Sequence, residues 1–390
     1  MNIGKYVFAQ LVEHLPKDAF TSCVKRDDGE HAMKSFTCRD QFLAMMFGQL
    51  TGRESLRDTI VCLKAHEQKR YHLGFQSLPS RNNLAHANET RDWRIWRDFA
   101  NHLTGIARKL YFDEPSMAED IDSACYAVDA TSIDVCLTLI PWAQFVSTKG
   151  SVKMHTQMDI RGSVPTYISI TSGKVHDTKF LDDITYEAGA FYILDRGYLD
   201  FARLHTINTS GAFFVIRGKK NMVFRRRYSN QVNTAAGILT DQTIMLTGIK
   251  TREYYPSPLR RVKCRDAETG TTYVFLTNNF TVSAESIALL YRNRWQVELF
   301  FRWIKQHLKI KVFWGRSQNA VKTHIYIALC AYLLVAILKK RLKLATDIYQ
   351  ILQILSVSMF DKTLVNQGFF DGQPAMEEDG HQNTLPLLGI

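Results

Sequence analysis

Three carboxylates in this chain follow patterns that can do chemistry. Ala124-Cys125-Tyr126-Ala127-Val128 is a short apolar run that ends in Asp129, and Ala190-Phe191-Tyr192-Ile193-Leu194 is a second that ends in Asp195. Continuous apolar runs of this length predict central strands covered on both faces. Carboxylates at the ends of such strands open into a shared crevice at the sheet's edge, although a single strand-end Asp is more often a turn former or helix cap. The third, Glu298, lies in the stretch Tyr291 to Lys305 (YRNRWQVELFFRWIK), which contains no Pro or Gly and opens after Ser283-Ala284-Glu285-Ser286. That pattern predicts one continuous helix. Val297, Phe301, Ile304 and Leu308 form its apolar stripe. At about 100° per residue, Tyr291, Arg294, Glu298 and Lys305 fall within roughly 60° of one another beside that stripe. As a solvated face, the Arg294–Glu298 pair would contribute only a few tenths of a kcal/mol. Trp295 and Trp303 share the helix, however, and aromatics interleaved with cations suit nucleic acid better than water.

If Asp129, Asp195 and Glu298 converge, they offer hard oxygen ligands suited to two Mg²⁺ (or Mn²⁺) ions rather than to zinc. Such a pair of ions activates a water or 3′-hydroxyl and stabilises the leaving oxygen of a phosphodiester. Arg294 and Lys305 would then neutralise phosphate charge, Tyr291 would donate a hydrogen bond, and Trp295 would stack on an unpaired base. A glycosidase also uses carboxylates but has no use for a cation-lined catalytic helix. A Ser or Cys nucleophile lacks its GxSxG or Cys–His signature.

The whole chain, 390 residues with 46% apolar content, can bury a large core in two or three domains. Lys plus Arg is 49 against 38 for Asp plus Glu, a formal charge of +11 with pI about 9.2. The excess favours a polyanionic partner, nucleic acid first. Seven scattered cysteines without a CxxC pair argue against a disulfide framework or zinc finger and for a reducing compartment. The start reads as no signal peptide. The apolar run from Ile325 to Leu338 is short of the about 20 residues a span needs, so it is expected to be a buried helix in a cytoplasmic protein without membrane contact.

Residues 1–115 read as small basic helices. Arg91 and Arg94 stand near Trp93 and Trp96, a composition compatible with a helix-turn-helix type of DNA-binding module or with a plain scaffold. Strands follow: Lys153 to Ile160 and Thr166 to Thr171 complete a meander, with Thr178 to Ala188 expected as a helix. Residues 218–278 are β-rich and basic and read as an inserted all-β subdomain. Its Arg225-Arg226-Arg227 fits either a clamp on a phosphate backbone or a charged strand edge that resists aggregation. Asp266 to Gly270 has hairpin-loop chemistry. Residues 279–345 return to the core, and 346–390 are a helix and a loose tail.

The order strand-Asp129, strand-Asp195, β-rich insertion, helix-Glu298 resembles a DDE transposase. Tyr291-x2-Arg294-x3-Glu298-x6-Lys305 matches the Y-R-E-K signature of the insertion sequence four family, and Lys149-Gly150-Ser151-Val152-Lys153-Met154-His155 and Asp195-Arg196-Gly197-Tyr198 are also similar to it. Where some relatives carry Arg-Glu after the second Asp, this chain has Arg196-Gly197. The resemblance implies an α/β fold: a ribonuclease-H-like mixed sheet flanked by helices (120–217 and 279–345), with the inserted subdomain and a helical N-terminal domain. It implies two-metal cleavage at terminal inverted repeats, transfer of the 3′ ends into target DNA, and a homodimeric synaptic complex. Asp129, Asp195 and Glu298 would be the catalytic metal ligands. Tyr291, Arg294, Trp295 and Lys305 would hold the DNA end, with Lys149, Lys153 and His155 as secondary candidates. His155 equally fits a satisfied strand histidine. A repeat-binding protein without catalysis, and a nuclease without strand transfer, are the alternatives.

Overall fold

The computed structural model describes residues 4–31, 35–114, 120–146, 149–219, 221–308, 310 and 313–364. The tail expected beyond residue 367 lies outside them. The chain divides into two compact units, one built from residues 1–112, 133–152 and 300–378, the other from 113–132, 153–299 and 379–390.

The first unit is helical. Helices Cys38–Leu50, Leu56–Ala65 and Arg81–Thr90 each start on a Thr or Ser whose side chain accepts the N–H three residues on, the usual way to satisfy one orphan donor of a first turn. Phe20, Phe42, Trp96 and Phe99 form an aromatic core, with Phe42 stacked on Trp96 at 6.0 Å. Trp96 is therefore packing, not a DNA contact. The helix Gln318–Arg341 is long and apolar enough to cross a membrane, longer than the run first suggests. Its residues from Thr323 to Leu338 are all buried. Tyr326 stacks on Trp93 at 5.6 Å, and Ala336 accepts the Tyr111 hydroxyl at 3.0 Å. An apolar helix needs cover all round, and the N-terminal helices supply it. The N-terminal segment, which ends at residue 112, and the chain from residue 300 consequently belong to one unit, and the later division falls within the glutamate-bearing helix.

The second unit holds most of a mixed sheet, to which residues 133–152 of the first unit add the end of the first strand, a short strand and the start of the next. The sheet's strands are β1 (Cys125–Val135), β3 (Lys149–Asp159), β4 (Val164–Ser172), β5 (Phe191–Leu194), β6 (Phe213–Arg217), β7 (Phe224–Asn230), β8 (Ile238–Leu246), β9 (Leu259–Arg265) and β10 (Thr272–Thr277). A short β2 (Gln144–Val146) pairs with the start of β3. The order runs β3-β1-β5-β6-β10-β9-β8-β7, with β4 also on β3. β1, β5 and β6 are parallel neighbours, flanked by an antiparallel meander on one side, the ribonuclease-H-like arrangement. Both apolar runs are buried from Cys125 to Val128 and from Ala190 to Leu194, Tyr126, Val128, Tyr192 and Leu194 packing with Leu204 and Ile207 of the helix Phe201–Thr209. Each such side chain contributes about 1.5–3 kcal/mol.

The inserted strands do not stand apart as a subdomain. β10 pairs antiparallel with β6, so β7 to β9 extend the core sheet. A buried pair, Arg260 with Asp241 at 2.9 Å, joins β9 to β8, and Arg260 also donates to the Val282 carbonyl at 2.6 Å. Asp266 to Gly270 is the β9–β10 hairpin loop, as its composition predicts. Instead of a helix from Thr178, there is a 3₁₀ segment Asp177–Asp182.

Candidate active site

Register places the first two carboxylates side by side. Val128 lies opposite Leu194 in the parallel β1–β5 pair, and Asp129 and Asp195 are the next residues; Asp195 follows the end of β5, whereas Asp129 lies inside β1, which runs on to Val135 instead of ending there as its apolar run suggests. The third arrives from above on a helix that is anchored from this sheet's own entry segment. Asp120 accepts Ser283 N–H at 2.7 Å and the Ser286 hydroxyl at 2.5 Å, fixing the start of the helix Ala284–Asn293.

The single helix expected from Tyr291 to Lys305 is broken at one residue. Ala284–Asn293 ends at Arg294 and Trp295–His307 begins directly after it. Arg294 keeps helical dihedrals (φ −55°, ψ −33°), but its N–H bonds Tyr291 and its carbonyl takes Val297 N–H, three-residue spacings in place of four. This tightened turn coincides with the use of the side chain. The Arg294 guanidinium donates to Asp129 at 3.1 Å and to Glu298 at 2.5 Å, while the Tyr291 hydroxyl donates to Asp195 at 3.2 Å. All three carboxylates are thus tied to two residues of the Y-R-E-K pattern.

The electrostatics differ for each. Burial pushes Asp129 up to about 6, with Arg294 pulling the other way. Asp195 is lowered: burial alone would raise it, and the N–H groups of Arg196 and Gly197, Arg294 and the Tyr291 hydroxyl outweigh that. Glu298 has a side chain 52% exposed. Arg294 is raised above its ordinary value, its own burial overcome by Asp129, Tyr291 and Glu298.

An all-oxygen donor set fits a hard divalent cation. Among the described residues, no group of three His, Cys, Asp or Glu side chains is placed to hold a metal ion in the observed arrangement; a guanidinium bridges two of the carboxylates.

The remaining sequence candidates separate clearly. Trp295 is exposed beside the site, and Lys305 is half-buried on the last turns of the Glu298 helix. Lys149 is exposed at the start of β3. Lys153 is nearly buried, donating to the Val175 carbonyl at 2.8 Å and pairing with Asp177 at 2.9 Å. His155 is buried, shares a hydrogen bond through Nε2 with Thr171 at 3.0 Å, has no hydrogen-bond partner at Nδ1 among the described residues, and is pushed down to about 4, chiefly by burial. Arg225, Arg226 and Arg227 lie exposed on β7 at the sheet's edge. Arg94 pairs with Asp92 at 3.2 Å. Arg91 gives its guanidinium to the Phe36 and Thr37 carbonyls and to the Gln41 side chain.

Tyr198 and Asp177 escaped the sequence reading. Tyr198 has a buried hydroxyl without a hydrogen-bond partner among the described residues, and its pKa is raised first by burial and then by Asp129, Asp177 and Asp195. It sits in the quoted Asp195-Arg196-Gly197-Tyr198, where its fixed distance from Asp195 was the available signal.

Residues 122–334, more than half the chain, match the family model described as Transposase DDE domain. The chain belongs to that family and is a DDE transposase. Residues 3–76 match a domain of unknown function. The chain is 32% identical over 289 residues to the Sinorhizobium fredii protein y4zB, named as a transposase, covering 73% of this chain and 78% of that one. It is 33% identical over 224 residues to a Geobacillus stearothermophilus protein named as a transposase for insertion sequence element IS5377, covering 57% and 58%. Among solved structures, a piggyBac transposase synaptic complex with hairpin DNA is similar over 96% of this chain and 84% of that one, with a TM-score of 0.48 and 10% identity.

Proposed function

We propose that this transposase binds the terminal inverted repeats of an insertion sequence, cleaves there, and joins the freed 3′-hydroxyls to target DNA, acting in the cytoplasm as a homodimer. The observation that carries the chemistry is the meeting of Asp129, Asp195 and Glu298 around Arg294 and Tyr291. The three carboxylates would hold Mg²⁺ or Mn²⁺, two ions by the number of donors, and the ions supply activation of the attacking oxygen and stabilisation of the leaving one. Arg294 keeps Asp129 and Glu298 together against their mutual repulsion, in a setting where burial already disfavours an ionised Asp129. Tyr291 orients Asp195 with a single hydrogen bond. Trp295, exposed next to Arg294, offers a face on which an unpaired base can stack.

The test uses labelled duplex carrying the repeats that flank the gene, with Mg²⁺, Mn²⁺ or EDTA, and Glu298→Ala alongside. Metal-dependent nicking at the repeat boundary, lost in the variant, is expected. Nicking that survives in EDTA or in the variant sinks the proposed chemistry, and products never joined to a second duplex sink the transfer step.

A further inference from the structure

The helical unit holds a basic concavity, made by residues that neither the carboxylates nor the Y-R-E-K pattern uses. A cavity of about 580 Å³ is lined by Arg57, Arg81 and Arg316, with Trp314 and with Glu54 and Glu89. The three arginines are exposed, and none makes an ion pair or a guanidinium hydrogen bond among the described residues. Neighbouring arginines in the same unit behave otherwise: Arg53 pairs with Asp58, Arg94 with Asp92 and Arg97 with Asp98. Glu54 and Glu89 share the lining but stand beyond ion-pair distance of the arginines, so the positive charge is left available.

The place of each arginine is fixed. Arg316 lies in a loop bolted at two points: the Trp142 indole donates to the Arg316 carbonyl at 3.0 Å, and the Trp314 indole donates to the Glu54 carbonyl at 3.1 Å. Trp314 also stacks on His324 at 4.5 Å and lies on Gly48, where a Cβ would come within 2.7 Å of the indole ring. Glu54 immediately precedes the cap of Leu56–Ala65, whose second residue is Arg57, and Arg81 opens the helix Arg81–Thr90. The main-chain N–H groups of those first turns add to the positive field.

We propose that this concavity is a clamp for the phosphate backbone of duplex DNA, separate from the carboxylate site. The inference rests on the DNA-processing reading above. Guanidinium groups bind phosphate through paired, charge-assisted hydrogen bonds, and three held without internal partners need no bond broken to do so. Such a clamp contributes affinity and register, not sequence choice. Arg57 falls within the stretch matched by the domain of unknown function, so the clamp gives that segment a task.

The experiment measures binding of the full chain to a labelled duplex of random sequence by anisotropy, between about 50 and 200 mM salt. Compared are the wild type, a triple Arg57→Ala/Arg81→Ala/Arg316→Ala variant, the corresponding triple Lys variant, and Glu298→Ala. The Ala triple is expected to flatten the slope of log K against log salt by about 2–3, to weaken binding at low salt at least tenfold, and to leave the melting temperature unchanged. The Lys triple restores the slope. Should the Ala triple not fold, Arg316→Ala alone is expected to lower the slope by about 1. A wild-type slope and affinity in these Ala variants overturns the clamp, and is also what an acidic protein partner at the cavity would give. If the wild type itself binds no duplex, the underlying DNA reading falls and takes the clamp with it.

Discussion

At the scale of single residues, Arg294 decides how the site behaves. Its side chain is 14% exposed and that of Asp129 20%, so the pair is largely withdrawn from water. Removing one member of such a pair leaves an uncompensated charge. Arg294→Met is expected to destabilise the fold by about 2–4 kcal/mol in urea denaturation, and adding Asp129→Asn should recover part of that loss, a coupling a double-mutant cycle reads directly. Independent, additive losses would show that the two side chains do not support each other. Tyr291→Phe deletes one hydrogen bond to Asp195 and should slow cleavage about tenfold, the equivalent of about 1.4 kcal/mol, with DNA binding kept. Asp129 and Asp195 were legible because an apolar run ending in Asp is a strong local pattern. The interruption at Arg294 was not, because nothing in YRNRWQ breaks a helix by composition; a long-range bond to the Asp129 carboxylate of β1 accompanies it.

Among the elements, the insertion depends on one buried ion pair. The side chains of Arg260 and Asp241 are only 5% and 6% exposed, and Asp241 also accepts from Asn230 on β7 at 2.9 Å. One carboxylate therefore links three strands, while its arginine reaches the turn before the helix Ala284–Asn293. Asp241→Ala is expected to cost about 3–5 kcal/mol and to lower cleavage through misplacement of Tyr291 and Arg294. Urea denaturation together with cleavage assays checks this; a stable Asp241→Ala protein with lost cleavage would point to a role other than support. The β-rich character and the Asp266–Gly270 hairpin could be read from turn residues and strand periodicity. That these strands continue the core sheet could not, since the β10–β6 register is a non-local pairing with no local code.

For the molecule as a whole, two buried histidines weaken the fold in acid, while Asp129, raised to about 6 by burial, works in the opposite direction. His155 is pushed down to about 4 and His324 to about 3, both chiefly by burial. The unfolded chain binds these protons near pH 6.5, so the contribution to stability is complete above that pH and is lost as pH falls towards 4 and 3. For His155 alone the loss approaches about 3 kcal/mol. Denaturation midpoints are expected to fall between pH 7 and 5, and His324→Phe should flatten that fall. An unchanged pH profile in the variant would contradict the assignment. At this scale the sequence showed helices with buried faces but not their partners: the periodicity of residues 323–338 demands cover without saying that Trp93 and Tyr111 provide it.

The split origin of the carboxylates has a consequence for synthesis. Asp129 and Asp195 leave the ribosome well before Glu298, with the inserted strands between them. At about 5–20 residues per second, the roughly hundred intervening residues take about 5–20 s to make. During that interval the nascent chain has two carboxylates and neither the third nor the arginine that holds them. On the proposed chemistry, a frameshift or stop codon anywhere in the insertion would yield a product that has Asp129 and Asp195 but lacks Glu298 and would not cut. On the proposed chemistry, only chains translated past the insertion would nick DNA.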